Sequence, residues 1–337
     1  MHYILVKLCE KLSLAIENAL GVNAIALKVV RKPVYWVLQA WESTWGRGPV
    51  VVWRWKLGET VAFLPRAIAN ARKAREGSKL RSCQCTQRQL ESDSFQSWLA
   101  RMKEPSQMKR KAWEWCYIAQ ALYENGMLAP ERRGLGFAVG QEPLPALFAS
   151  LGCEIMATDL ATNEAQGLGW VKTAQHADSL DALNRLGICD HNLFREKTKF
   201  RFVDMRDLPD GLGAYDFIWS SCSIEHLGTI SLGEQFLYDS LKYLKKGGIS
   251  VHTTEYNLQS NYFTTASGPT VIFRRRDLKR IANNLRRRGC SVDLDFTGGL
   301  LPYDRVVDIP PYERDVHLKL VLGSYVVTSF GLVIRNG

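Results

Sequence analysis

From Arg132 onward the chain alternates short apolar runs with amphipathic stretches, and this alternation limits the fold more than any other feature. Apolar runs bounded by turn residues suit strands buried on both faces, and intervening helices act as crossovers that lay those strands parallel. The expected strands are residues 134–139 (GLGFAV), 154–159 (EIMATD), 199–204 (KFRFVD), 215–221 (YDFIWSS), 249–254 (ISVHTT), 291–296 (SVDLDF) and 324–335 (SYVVTSFGLVIR). Helices are expected at 143–151, 179–186, 232–245 and 276–288. Pro143 opens the first, and Gly187, Gly247-Gly248 and Gly289 close the others. No clear helix joins the last two strands, which predicts an antiparallel hairpin at the sheet edge. The expected fold class is α/β: a seven-stranded, doubly wound, mostly parallel sheet whose last strand is antiparallel.

The charge is unevenly placed. The net charge is +10 over 337 residues, yet residues 1–82 hold 14 Lys/Arg against 5 Asp/Glu, a net of +9. The same segment carries Tyr35, Trp36, Trp41, Trp45, Trp53 and Trp55. Three regions follow: a basic, Trp-rich, mainly helical region at 1–92, helices at 93–131, and the α/β domain at 132–337. In the first, Leu5, Leu8, Leu12 and Ile16, then Val34, Leu38, Trp41 and Trp45, recur at helical spacing. Pro49–Trp53 is β-like, and Pro65 begins an alanine-rich basic helix ending near Gly77. The polar stretch near 82–92 reads as a linker or exposed turn. Residues 94–127 read as two helices split near Pro105, the second stopped by Gly126. Eight scattered cysteines, most in apolar stretches, read as reduced, buried thiols. Lys7, Glu10, Lys11 and Glu17 interrupt any signal peptide, and no apolar run is long enough to cross a membrane. A cytoplasmic setting is expected. The basic, Trp-rich front adds peripheral contact with an anionic membrane face as a further expectation.

In an open parallel sheet, ligands bind beyond the carboxyl ends of the strands, where strand order reverses. The turn Gly134-Leu135-Gly136-Phe137-Ala138-Val139-Gly140 falls at such a point. A dinucleotide fingerprint beginning at Gly134 needs glycine at 139, and Val139 stands there. Asp159, nineteen residues beyond Gly140, ends the second strand, where a carboxylate can accept hydrogen bonds from ribose hydroxyls.

With Asp159, Asp204-Met205 after strand three, YDFIWSSCSIEHL at strand four and LKYLKKGGISV at strand five, this turn resembles class I (Rossmann-like) S-adenosylmethionine-dependent methyltransferases. Gly134 stands where that family has an acidic residue, and Ala138 where it has its middle glycine. The resemblance spans about 200 residues and implies S-adenosylmethionine as cofactor. Its contacts would come from Gly136, Ala138, Gly140, Glu142, Asp159, Leu160, Asp204, Met205 and Ser221. Within the family, VGQEPLPALFASLG, HTTEYN and DRVVDIPPYERDVHLKL are most similar to bacterial methyltransferases of surface-polysaccharide and other glycan biosynthesis. The implied reaction is O-methylation of a sugar hydroxyl, with a glycan or small-molecule acceptor as partner.

His226, just past strand four, is the expected general base, since histidine titrates near neutrality. Its structural alternative is packing beneath the cofactor or capping a helix. Glu225, His252, Glu255, Asn257, Tyr303 and Arg305 are the expected acceptor contacts, the last two from a connection at 303–317 that can act as a lid. No metal is expected. His252, Glu255, Asp315 and His317 are weighed as ligands and set aside as an ion-pair network, and Cys83-x-Cys85 lacks a second Cys/His pair. Two other functions remain open: an RNA methyltransferase using the basic front, although nucleic acid is the least favoured partner, and an inactive scaffold with this fold.

Overall fold

The computed structural model describes residues 51–52, 55–56, 79–167 and 176–337. The expected helices at 5–16, 34–45 and 65–77 lie outside the described residues. In chain order the strands are β1 (Ser82–Cys83), β2 (Arg133–Gly136), β3 (Glu154–Asp159), β4 (Thr198–Phe202), β5 (Tyr215–Ser220), β6 (Leu244–Asn257), β7 (Ser291–Val292), β8 (Leu294–Asp295), β9 (Leu320–Leu322) and β10 (Tyr325–Arg335). The helices are α1 (Gln87–Leu90), α2 (Asp93–Arg101), α3 (Arg110–Glu124), α4 (Leu144–Ser150), α5 (Thr162–Gly167), α6 (His191–Lys197), α7 (Ile230–Asp239) and α8 (Arg275–Arg287).

Among the described residues the main sheet runs β4–β3–β2–β5–β6–β10–β7, with β9 beside β10. The strands from β4 to β6 are parallel, and β10 is antiparallel to both β6 and β7. This is the expected mostly parallel, doubly wound sheet with an antiparallel last strand. Strand order reverses at β2, which lies between β3 and β5, so their carboxyl ends leave a crevice there.

Several local expectations change. Residues 82–90 are not an exposed linker: Ser82, Cys83, Gln84 and Cys85 are buried, and β1 pairs in parallel with β8. Their polar atoms find partners on the sheet. Val333 N donates to Ser82 Oγ at 2.9 Å, and Gln84 Nε2 donates to the Phe296 carbonyl at 3.2 Å. The run 291–296 therefore splits, its first half joining the main sheet and its second half joining β1. The helix expected to reach Lys245 stops at Asp239, and a 3-10 turn, Ser240–Tyr243, leads into β6. Residues 179–186 keep only a 3-10 turn at Asp181–Asn184. The helix there is α6, whose N-terminal amides at Asn192 and Leu193 donate to Asp190 Oδ1, each at 3.0 Å. Val51 and Val52 are helical, not β-like. Val51 and Trp55 are buried together against Val307, Val321 and Val326.

Apolar clusters fill both faces of the sheet. Helix α3 supplies Trp113 and Tyr117, stacked with ring centroids 4.7 Å apart. Tyr117 sits directly on Gly331 in the middle of β10, where a Cβ would overlap its ring. Among the described residues no helix is long and apolar enough to cross a membrane. Because neither the Tyr117 ring nor the central strand has room to move, Gly331→Ala is expected to destabilise the fold by about 1–3 kcal/mol, the usual cost of overpacking. A lower urea midpoint at unchanged m-value would register it.

Candidate active site

A cavity of about 990 Å³ lies beyond the carboxyl ends of β2, β3, β4 and β5. Its floor comes from the turn after β2. Gly134 and Gly136 do not face the cavity: a Cβ on either would run into the rings of Phe217 and Trp219 on β5. Their role is close packing of β2 on β5, so the expected cofactor contact at Gly136 is corrected to a packing role. The chain then turns through left-handed backbone at Ala138 (φ 47°) and Gly140 (φ 53°), both on the cavity wall.

Asp159, at the end of β3, closes the turn. Its Oδ2 accepts from Gly140 N at 3.1 Å and Ala177 N at 2.9 Å, and its Oδ1 accepts from Leu160 N at 2.8 Å. Burial raises this carboxyl, and the three amides only partly offset that. Glu142 is buried, accepts from Trp219 Nε1 at 2.7 Å, and is pushed up to about 8 by desolvation. Leu160, Asp204, Met205 and Ser221 also line the cavity. Asp204 is gripped by Arg206, with Nη2 to Oδ2 at 2.7 Å, which holds it ionised although burial opposes this.

The far end of the cavity is ionic. Helix α3 contributes Arg110, Lys111 and Trp115, none of which the expected site included. Behind them Glu114, fully buried, takes Lys111 Nζ at 2.7 Å, Ser329 Oγ at 2.5 Å and Cys222 Sγ at 3.0 Å. Burial raises the Glu114 carboxyl, but Lys111 and Arg110 outweigh it and bring it to about 2. Arg110 pairs with Glu255. Glu225 accepts from Thr254 Oγ1 at 3.1 Å, and burial raises its carboxyl to about 7. Burial likewise raises Glu255, against the pull of Arg110.

His226 is on the wall as expected. Its Nδ1 lies 2.9 Å from the Pro269 carbonyl, which can only accept, so Nδ1 carries the proton and Nε2 holds the lone pair. Burial lowers its pKa. His317, also on the wall, bonds through Nδ1 to Asp308 Oδ2 at 2.7 Å and stands edge-on to Tyr312. The His317 amide donates to the Met108 carbonyl at 2.8 Å, so this part of the connection is latched to the approach of α3.

Four expected acceptor contacts are not on the wall. His252 is fully buried in β6, with Nδ1 at 2.8 Å from Ser220 Oγ and Nε2 at 2.6 Å from Ser250 Oγ. Burial lowers it to about 3, so it is a neutral core residue. Asn257 is buried and shapes its own loop. It donates to the Phe263 carbonyl at 3.1 Å and accepts from Gln259 N and Ser260 N, each at 2.9 Å. Tyr303 and Arg305 belong to a 3-10 turn packed on α1, with Tyr303 N donating to Gln87 Oε1 at 2.7 Å. Buried Asp304 anchors that turn, accepting from Gln87 N and Leu301 N at 2.8 and 3.0 Å, so its exposed neighbours point elsewhere. The set His252, Glu255, Asp315 and His317 is not assembled, because His252 is committed to its two serines and His317 to Asp308. A sequence signal for the missed residues did exist: Arg110-Lys111 and Glu114 stand one helical turn apart at the start of a helix whose next turns, Trp115–Ala119, are apolar.

No family model and no curated protein matches the chain. Among solved structures it is similar to an S-adenosylmethionine-dependent methyltransferase from Clostridium acetobutylicum, at 14% identity over 68% of this chain and 92% of that one, with a TM-score of 0.40. It is also similar to the magnesium protoporphyrin IX methyltransferase of Synechocystis with bound SAM, at 14% identity over 74% of this chain and 93% of that one, with a TM-score of 0.37. A third is the (4+2)-cyclase SpnF, at 18% identity over 52% of this chain, with a TM-score of 0.34; the chain spans 58% of that protein's length.

Glu142 generates a pH prediction. Its folded pKa lies above the ordinary 4.5, so the native state keeps a proton the unfolded chain has lost. The resulting stability is full below 4.5 and is lost as pH rises towards about 8. Glu142→Gln keeps an acceptor for Trp219 and cannot titrate. Urea unfolding across this window should show a smaller decline in the variant than in the wild type, and equal declines would disprove the assignment.

Proposed function

We propose that the chain is an S-adenosylmethionine-dependent methyltransferase acting on a hydroxyl, with a sugar of a glycan or glycan precursor as acceptor. The observation that carries this reading is one cavity with two chemically different ends, a carboxylate-closed turn at the strand-order reversal and an acid–base cluster beyond β5. Asp159 has about four lone-pair directions, and three amides use three of them, so one remains for a ribose hydroxyl. Asp204 and Met205 flank the place for the adenine. Ala138, Gly140 and Glu142 flank the methionine portion, where the Glu142 carboxyl can meet an ammonium group. The cavity is at the upper end of the usual range for ligand pockets, with room for cofactor and acceptor together.

Methyl transfer requires the acceptor oxygen in line with the sulfonium methyl, and positioning supplies roughly 7–11 kcal/mol of the barrier. A hydroxyl must also lose its proton. His226 has the tautomer for that step, with the lone pair on Nε2. The wall around it, with Arg110, Glu225, Glu255 and His317, is polar and ionic, as recognition of a polyol requires.

Two variants test the reading. Asp159→Asn should weaken S-adenosylmethionine about ten- to a hundred-fold by calorimetry, matching the roughly 1.5–3 kcal/mol of a hydrogen bond to a charged group. His226→Ala should leave cofactor affinity unchanged and lower turnover by about 10²–10⁴. Mass spectrometry of candidate glycans after incubation with labelled cofactor identifies the acceptor. Failure of the wild type to bind cofactor would sink the proposal.

A further inference from the structure

Cys222, Glu225 and Glu255 converge at the ionic end of the cavity. One ligand atom from each lies within 4.8 Å of the others. Both carboxylates are buried, at 0% and 4% exposure. Each has one oxygen held by the protein: Glu225 Oε2 by the Thr254 hydroxyl and Glu255 Oε1 by the Arg110 guanidinium. The other oxygen of each, Glu225 Oε1 and Glu255 Oε2, is buried with no hydrogen-bond partner. An unmatched buried acceptor costs about 1–3 kcal/mol, and more when charged, so two side by side call for an occupant.

Charge points the same way. Glu114, Glu225 and Glu255 face Arg110 and Lys111, so three carboxyl groups share two cationic side chains. The chain is held to this shape at a cost, since Cys222 sits in left-handed backbone at φ 46°. We propose that Cys222, Glu225 and Glu255 form a site for a zinc-class divalent cation, with a fourth position open towards the cavity.

The donor chemistry suits that class. One sulfur and two carboxylate oxygens are ligands for zinc-class ions, and three protein ligands with an open position are the pattern of a catalytic rather than a structural site. With bonds of about 2.3 Å to sulfur and about 2.1 Å to oxygen, tetrahedral ligands stand about 3.5 Å apart. Closing from 4.8 Å or less needs only small side-chain rotations. Thr254 and Arg110 would become the outer partners that orient the ligating carboxylates. On binding, the Cys222 thiol loses its proton to solvent and the sulfur lone pair goes to the metal. Glu114 keeps its bonds from Ser329 and Lys111. What the ion does for the reaction rests on the hydroxyl-acceptor reading: it would hold acceptor oxygens beside His226 and favour loss of the hydroxyl proton.

The test is equilibrium dialysis of the full chain against Zn²⁺ and against Co²⁺, with metal quantified per protein and the absorption spectrum recorded. One equivalent is expected, with a thiolate-to-cobalt charge-transfer band in the Co²⁺ form. Cys222→Ser should abolish the band, and Glu225→Gln should weaken metal binding at least about ten-fold. Two separate variants guard against one failing to fold, which circular dichroism reports. Substoichiometric binding by the folded wild type overturns the proposal, as does binding that survives both substitutions unchanged. Calorimetry with S-adenosylmethionine on the same metal-free protein separates the two readings. Cofactor binding by a protein that takes up no metal in dialysis sinks only the metal site, and metal uptake by a protein that binds no cofactor sinks only the methyltransferase assignment.

Discussion

A carboxylate buried in the second turn of α3 sets the geometry on which the site depends. Glu114 is fully enclosed on α3, and an unpaired charge there would cost several kcal/mol. It is matched instead by Lys111 one turn back, by Ser329 from β10 and by Cys222 from the turn after β5. These bonds fix α3 against two strands at once. Arg110 and Lys111 reach the cavity because their helix is held at this depth. Breaking the network would leave both a stranded charge and a displaced wall.

The two ends of the cavity are built by different physics. At the turn end the backbone itself is the structural material. Glycines 134 and 136 let β2 press against Phe217 and Trp219, and Phe148 meets both rings edge-on at 5.6 and 5.1 Å. Such a floor is rigid because its packing leaves no slack. The ionic end is assembled from side chains on α3, on the turn after β5, on β6 and on the 306–320 connection. Its parts are joined by charge-assisted bonds such as His317 to Asp308. A rigid turn beside an ionic, addressable far wall is an arrangement that can keep one ligand fixed while a second is exchanged.

Residues at the carboxyl ends of strands were legible because strand ends follow from local pattern. Asp159, Asp204, Glu225 and His226 all lie on the cavity wall where the alternation of strands and turns puts them. His252 was misplaced for a reason sequence does not reveal: β6 is buried on both faces from Gly248 onward, and Ser220 and Ser250 satisfy both ring nitrogens inside the sheet. Tyr303 and Arg305 were misplaced because buried Asp304 and Gln87 turn that part of the connection towards α1, while only its later part reaches the mouth. The polar stretch at 82–92 looked exposed because its serine and glutamine partners lie more than two hundred residues away.

By itself the sequence determined the parallel sheet, the place of its crevice and the carboxylate that closes the turn after β2. Those follow from hydrophobic period, helix stops and the spacing of Gly140 and Asp159, all of which act within a few tens of residues. Only the tertiary structure decided what faces that crevice from the other side. Glu114 meets Ser221, Cys222 and Ser329 at separations of 107, 108 and 215 residues. Whether a buried charge is tolerated, and which groups it brings into the cavity, depends on partners that folding alone puts side by side.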